Sequence, residues 1–132
     1  MDEKRKAKWQ KAAGAILEPG ERVVAVAVGQ KAEGMWPILF LVEDIALPLL
    51  KRARGYLVTD RNVYLCRLSS MRSHGIEEVL EKRRRGEVPV QFHRNRLTLD
   101  GANPVYVGYL PVGKRWAREV LAAANSTASV HA

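Results

Sequence analysis

From Gly55 to Leu110 the chain is cut into short runs by turn formers, and that punctuation limits what it can become. Thr59-Asp60-Arg61-Asn62, the polar stretch from Ser69 to Gly75, Arg94-Asn95 and Asp100-Gly101-Ala102-Asn103 all read as turns, because Asp and Asn side chains bond nearby backbone amides. Two strands flank the first turn within Gly55–Leu68. Val88, Val90 and Phe92 alternate with Pro89, Gln91 and His93, a strand period,, and Pro89 suits an edge position. Leu97 and Leu99 alternate again, and Val105–Leu110 forms a last strand. Residues 76–81 fit either a strand or a helical turn. Short strands joined by tight turns predict a mainly β, α+β domain built on a small antiparallel barrel or sandwich.

Helices are expected at both ends. Trp9, Ala12, Ala13, Ile16 and Leu17 share one face of a helix over residues 2–17,, with Asp2 as its cap and Pro19-Gly20 as its stop. This helix can pack on the domain or, as a basic amphipathic helix, lie on a membrane; its narrow, Ala-rich apolar face speaks against deep insertion. A first strand follows over Glu21–Gln30, rich in β-branched Val23, Val24, Val26 and Val28,. The C-terminal helix spans Gly113–Asn125, with Trp116, Val120, Leu121 and Ala124 as its apolar stripe. The domain thus divides into an N-terminal helix (1–18), a main body (19–125, with an insert at 31–53) and a tail (126–132) that frays.

The insert is the unusual part. Residues 35–50, MWPILFLVEDIALPLL, are almost wholly apolar yet carry Glu43 and Asp44 in the middle. The run is shorter than the ~20 residues of a membrane span, and paired acids at a bilayer centre are costly. Pro37 and Pro48 would bound a short helix from Pro37 to Leu47,. Apolar nearly all round, it must bury in the core, against another subunit, or in a membrane interface.

Charge is unevenly placed. Residues 51–96 hold twelve Lys or Arg against five Asp or Glu, a surplus of seven within a chain of net charge +8. Such a field either solubilises or attracts anionic lipid, nucleic acid or an acidic protein. The charged N-terminal stretch lacks the apolar core of a secretory signal, which implies a cytoplasmic chain. The single cysteine, Cys66, sits among Val63, Leu65 and Leu68 and reads as a small buried hydrophobe rather than a reactive thiol.

The segment Gly55-Tyr-Leu-Val-Thr-Asp-Arg-Asn-Val-Tyr-Leu65 resembles the strand–TDR–strand hairpin of bacterial pleckstrin-homology-like domains. Pro19-Gly20-Glu21-Arg22-Val23 is similar to the segment that often opens them, and Trp116 on the final helix also fits. The resemblance covers roughly residues 19–125. It implies a curled antiparallel sheet closed at one end by the C-terminal helix. Such folds bind inositol phosphates, peptides or proteins, or serve as scaffolds, so the fold alone assigns no ligand. The long insert and the added N-terminal helix depart from the pattern and put monomeric behaviour in doubt.

No catalytic motif is present: no phosphate-cradling P-loop, G-x-G-x-x-G, H-E-x-x-H, C-x-x-C or G-x-S-x-G,. His74, His93 and His131 are scattered, and no catalytic residue, cofactor or metal is expected. Glu77, Glu78 and Glu81 read either as neighbours on a helical turn or, the favoured reading, as counter-charges to the basic run Lys82-Arg83-Arg84-Arg85. That run is either a phosphate contact or a charged loop or strand edge. Lys51, Arg52 and Arg54 directly follow the insert, and cations beside apolar residues suit an anionic membrane. The resemblance places this connection between the first two strands, where lipid-binding members hold a headgroup. The usual basic pattern of such sites is missing from the insert itself, so it implies no inositol phosphate specificity.

The sequence therefore predicts a non-enzymatic binding or scaffolding module. It would act peripherally at the inner face of a membrane, or self-associate through residues 35–50. Trp36, Ile38, Leu39, Phe40, Leu41 and Leu47 would supply apolar contact, and Lys51, Arg52, Arg54 and Lys82–Arg85 would meet anions. The alternative is nucleic-acid binding by the 82–96 strip, in which Phe92 is the one aromatic available for stacking,.

Overall fold

The computed structural model describes residues 2–31, 53–69, 75–108 and 111–125. Helix α1 (Glu3–Ala12) leads into strands β1 (Val23–Lys31), β2 (Ala53–Thr59), β3 (Asn62–Leu68), β4 (Ile76–Arg84), β5 (Val90–His93), β6 (Arg96–Leu99) and β7 (Ala102–Tyr106), and helix α2 (Pro111–Ala124) closes the chain. The strands form one antiparallel sheet in the order β4-β3-β2-β1-β7-β6-β5. The mainly β, α+β expectation holds at this level.

Alternation along the strands builds two cores, one on each face of the sheet. Tyr56, Val58, Val63, Leu65, Leu97 and Val105 face one way and pack with Ala117, Val120 and Ala124 of α2. Val26, Leu57, Tyr64, Cys66 and Leu68 face the other way and pack with Trp9 and Ala13. Both faces of β2 and β3 are therefore covered, which is why these strands read as continuous apolar runs,. In α2 the buried line runs through Gly113, Ala117, Val120 and Ala124. Trp116 and Leu121 of the expected stripe sit half-buried at its margin.

Helix α1 also protects a strand edge. Beyond its pairing with β2, β1 meets β7 only through Gln30 and Lys31. Along the stretch before that, the Gln10 amide donates to the Glu21 carbonyl (2.9 Å) and accepts from the Val23 amide (2.7 Å). It bonds the backbone there much as a neighbouring strand would. The Arg5 guanidinium donates to the Val26 carbonyl at 2.8 Å and lies 3.9 Å over the Trp116 ring of α2, a cation–π contact. A helix laid over an otherwise open edge is a common device against unwanted pairing.

Several boundaries differ from the sequence expectation, for local reasons. Asp2 caps α1 by accepting from the Lys4 amide, but the helix stops at Ala12. Ala13 onward tightens into turns that precede and include Gly14, a poor helix former. Residues 76–81 are strand, and β4 runs on through Lys82, Arg83 and Arg84. Pairing with β3 decides this, since it sets Val79 opposite Cys66 and Ile76 opposite Leu68 on an apolar face. β5 begins at Val90 rather than Val88, and the last strand ends at Tyr106. The two hairpin turns Arg94-Asn95 (φ 51 and 63) and Asp100-Gly101 (φ 53 and 76) are left-handed at both positions, matching the twist of the strands they join. The expected helix at 37–47, the turn at 70–74 and the tail at 126–132 lie outside the described residues.

β1 and β7 approach closely at Gly29, where a Cβ would sit 2.2 Å from the Tyr106 carbonyl oxygen. Gly29→Ala must push the two strands apart. The expected loss is about 2 kcal/mol or more, read as a lower urea midpoint with the folded circular dichroism spectrum retained.

Candidate functional site

Glu21, placed where the chain enters β1, is the most buried acid among the described residues, at 2% exposure. Its carboxylate accepts from the Tyr64 hydroxyl (2.7 Å), the Asn62 amide (2.8 Å), the Glu18 backbone amide (2.8 Å) and the Thr59 hydroxyl. The Thr59 hydroxyl in turn accepts from the Asn62 and Arg61 backbone amides. Asp60 pairs with Arg22 through two bonds: its amide donates to the Arg22 carbonyl and its carboxylate accepts the Arg22 amide. Arg61 reaches back to the Pro19 carbonyl at 3.0 Å. The Pro19–Val23 segment and the Thr59–Asn62 turn are thus two halves of one polar lock. Burial pushes the Glu21 carboxyl up, but the bonds from Thr59, Tyr64, the Glu18 amide and Asn62 outweigh it and hold the group below its ordinary value,. Sequence reasoning noted both segments and missed their joint role. The detectable signal was an acid directly before a β-branched strand, facing a Thr-x-x-Asn turn.

An open groove of about 980 Å³ runs beside this lock, lined by residues that include Glu3, Lys6, Gln10, Glu18, Arg22 and Asp60. Glu18, at its mouth, is drawn below its ordinary value chiefly by Lys82, which donates to it at 2.9 Å. A general acid or base poised for work near neutrality needs a carboxyl shifted upward. Both shifted carboxyls here go the other way. The Cys66 thiol is buried, and desolvation pushes it up to about 12, so it remains protonated and packs as a hydrophobe. Among the described residues no group of three His, Cys, Asp or Glu could hold a metal ion.

The basic candidates separate in space. Lys51 and Arg52, together with Trp36, Ile38, Leu39, Phe40, Leu41 and Leu47, lie outside the described residues, as does His74. Arg54 sits on β2 between Gly29 and Arg67, half-buried, with its guanidinium donating to the Ala53 carbonyl at 3.0 Å. Lys82, Arg83 and Arg84 lie exposed on β4, the terminal strand of the sheet order. Arg85, just beyond, is tied down by donating to the Ala123 carbonyl at 2.6 Å. Glu81 does meet Arg83 (3.4 Å), but Glu77 and Glu78 pair with Arg67 on β3 (3.5 and 3.8 Å) rather than with the basic run. Phe92 packs against the inner core.

Gln30 and Ala53 are cross-strand partners at one end of the β1–β2 hairpin. The whole insert therefore leaves and returns at a single mouth of the sheet, beside Arg54. No helix among the described residues is long and apolar enough to cross a membrane. Comparison with protein-family models, with curated proteins and with solved structures finds no match.

Removing the Glu21 carboxylate strands three buried donors. Glu21→Ala is expected to cost about 3 kcal/mol in urea unfolding. The folded value of this carboxyl lies below its ordinary 4.5, so its contribution is present above pH 4.5 and fades as pH falls through the folded value. Glu21→Gln should flatten the loss of stability across that acid window, leaving the share due to Glu18. Parallel acid slopes for the two proteins would contradict the lock.

Proposed function

We propose that this chain is a non-enzymatic, pleckstrin-homology-like binding or scaffolding module that works at an anionic membrane surface. Support for the fold assignment comes from seven antiparallel strands followed by a C-terminal helix packed on one face. It comes also from the two family-like segments, Pro19–Val23 and Thr59–Asn62, meeting around Glu21.

The observation that carries the functional reading is the pairing of Gln30 with Ala53. It brings together the two strand ends between which the chain's most apolar run, residues 35–50, and Lys51 and Arg52 lie in sequence, with Arg54 beside them on β2. Apolar residues and cations delivered at one place attract an anionic bilayer by burial and by Coulomb attraction together. The nucleic-acid alternative is less well supported. Within the 82–96 strip Arg85 bonds the backbone, and Phe92, the one aromatic, is packed against the core rather than offered for stacking.

Co-sedimentation with vesicles tests the proposal. Binding is expected to phosphatidylserine-containing vesicles and to weaken with salt. Each basic residue near such a surface contributes about 1 kcal/mol, so a Lys51→Glu/Arg52→Glu/Arg54→Glu variant should bind more than ~10-fold less tightly. Equal pelleting with neutral and anionic vesicles would remove the membrane reading. Self-association through residues 35–50 would use the same mouth. It would then show as a dimer mass that Phe40→Ser/Leu41→Ser abolishes.

A further inference from the structure

β4 ends the sheet, and among the described residues no strand pairs with its outer edge. Such an edge offers unpaired backbone donors and acceptors, here with register shifts against β3 at Glu77 and Leu80. Proteins usually blunt it with charges of one sign, which repel any copy of themselves. β4 is charged differently. Its sequence, Ile76-Glu-Glu-Val-Leu-Glu-Lys-Arg-Arg84, places Glu77 and Glu78 before a central leucine and Lys82, Arg83 and Arg84 after it, with Glu81 between the leucine and the basic run. Leu80 is one of only two large hydrophobics exposed among the described residues, at 39%.

We propose that β4 is an interface between two copies of this chain, paired antiparallel and aligned about Leu80. In that alignment Glu77 and Glu78 of one copy face Arg83 and Lys82 of the other, twice over, and the two Leu80 side chains meet at the two-fold axis. The contact is isologous, because the same patch serves both copies. A parallel alignment would set like charges together, so the pattern selects direction as well as partner. The four charged side chains are all accessible, at 47% and 51% for the two glutamates and 43% and 44% for Lys82 and Arg83. Their present intrachain pairs, at 2.9–3.8 Å, are exposed and can be exchanged for pairs across the dyad.

The inference stands apart from the membrane reading. It uses neither residues 35–50 nor the hairpin mouth, although a two-fold dimer would present two such mouths to one surface and strengthen binding there by avidity. One strand pair makes a small interface, below ~1,200 Å², so association is expected to be weak and to depend on protein and salt concentration.

Light scattering across protein concentration supplies the test, with circular dichroism to confirm folding. The intact chain should move from 14.8 kDa toward twice that mass as concentration rises. Glu77→Lys/Glu78→Lys makes the strand wholly basic in those positions, and Lys82→Glu/Arg83→Glu makes it wholly acidic. Each alone should stay monomeric at concentrations where the parent is dimeric. Mixed one to one, they should recover the dimer mass, because all four cross pairs then have opposite sign. Leu80→Glu, which sets two like charges on the axis, should also abolish dimerisation, and it serves if either double variant fails to fold. A parent that remains at 14.8 kDa throughout overturns the proposal. So do folded double variants that still dimerise alone, or a mixture that stays monomeric.

Discussion

A single buried carboxylate organises this molecule. Glu21 has no ion pair among the described residues; it is held by four hydrogen-bond donors drawn from three places in the chain. A buried anion is tolerable only when its acceptor sites are filled, and here filling them positions everything nearby. The bonds from Thr59, Asn62 and Tyr64 set the β2–β3 turn against the start of β1. The backbone of Glu21 and Val23 then receives Gln10, which seats α1. Trp9 and Ala13 follow into the outer core, and Arg5 carries the contact across to Trp116. The N-terminal helix is therefore part of the domain's packing.

That arrangement shows how the central strands of the sheet are covered. α2 covers the inner face, α1 covers part of the outer face, and α1 side chains complete the hydrogen bonds of β1 where β7 does not reach. The insert departs from the opposite end of the same strand, where Gln30 pairs with Ala53. β4 and β5 are the two ends of the sheet order, so the pairing proposed at β4 would not compete for the mouth.

Much of this was legible along the chain. Strand period, turn chemistry and helix caps marked nearly every element, because those signals are local: Asp2 does cap α1, Asp60-Arg61 and Arg94-Asn95 do turn the chain, and Cys66 is a buried hydrophobe. The ambiguity at residues 76–81 was a true one. Glu-Glu-Val-Leu-Glu suits a helix by propensity, and only the ladder with β3 makes it a strand. The end of α1 shifted for a local reason, since Gly14 is a poor helix former, whereas the Val107 amide, just past β7, is held by the Asn95 carbonyl.

What the sequence determined by itself was the element list, the two-faced apolar patterning of β2 and β3, and the concentration of positive charge between residues 51 and 96. These depend on period and composition. What tertiary structure alone decided was which charges and polar groups pair with which. Glu21 looked like an ordinary acid at a strand start, yet it is buried because donors from β2 and β3, about forty residues away, converge on it. Glu77 and Glu78 looked like partners for Lys82–Arg85, yet antiparallel pairing sets them against Arg67 instead. Hydrogen bonds and ion pairs act over a few ångströms of space, and only the fold sets which residues lie that close.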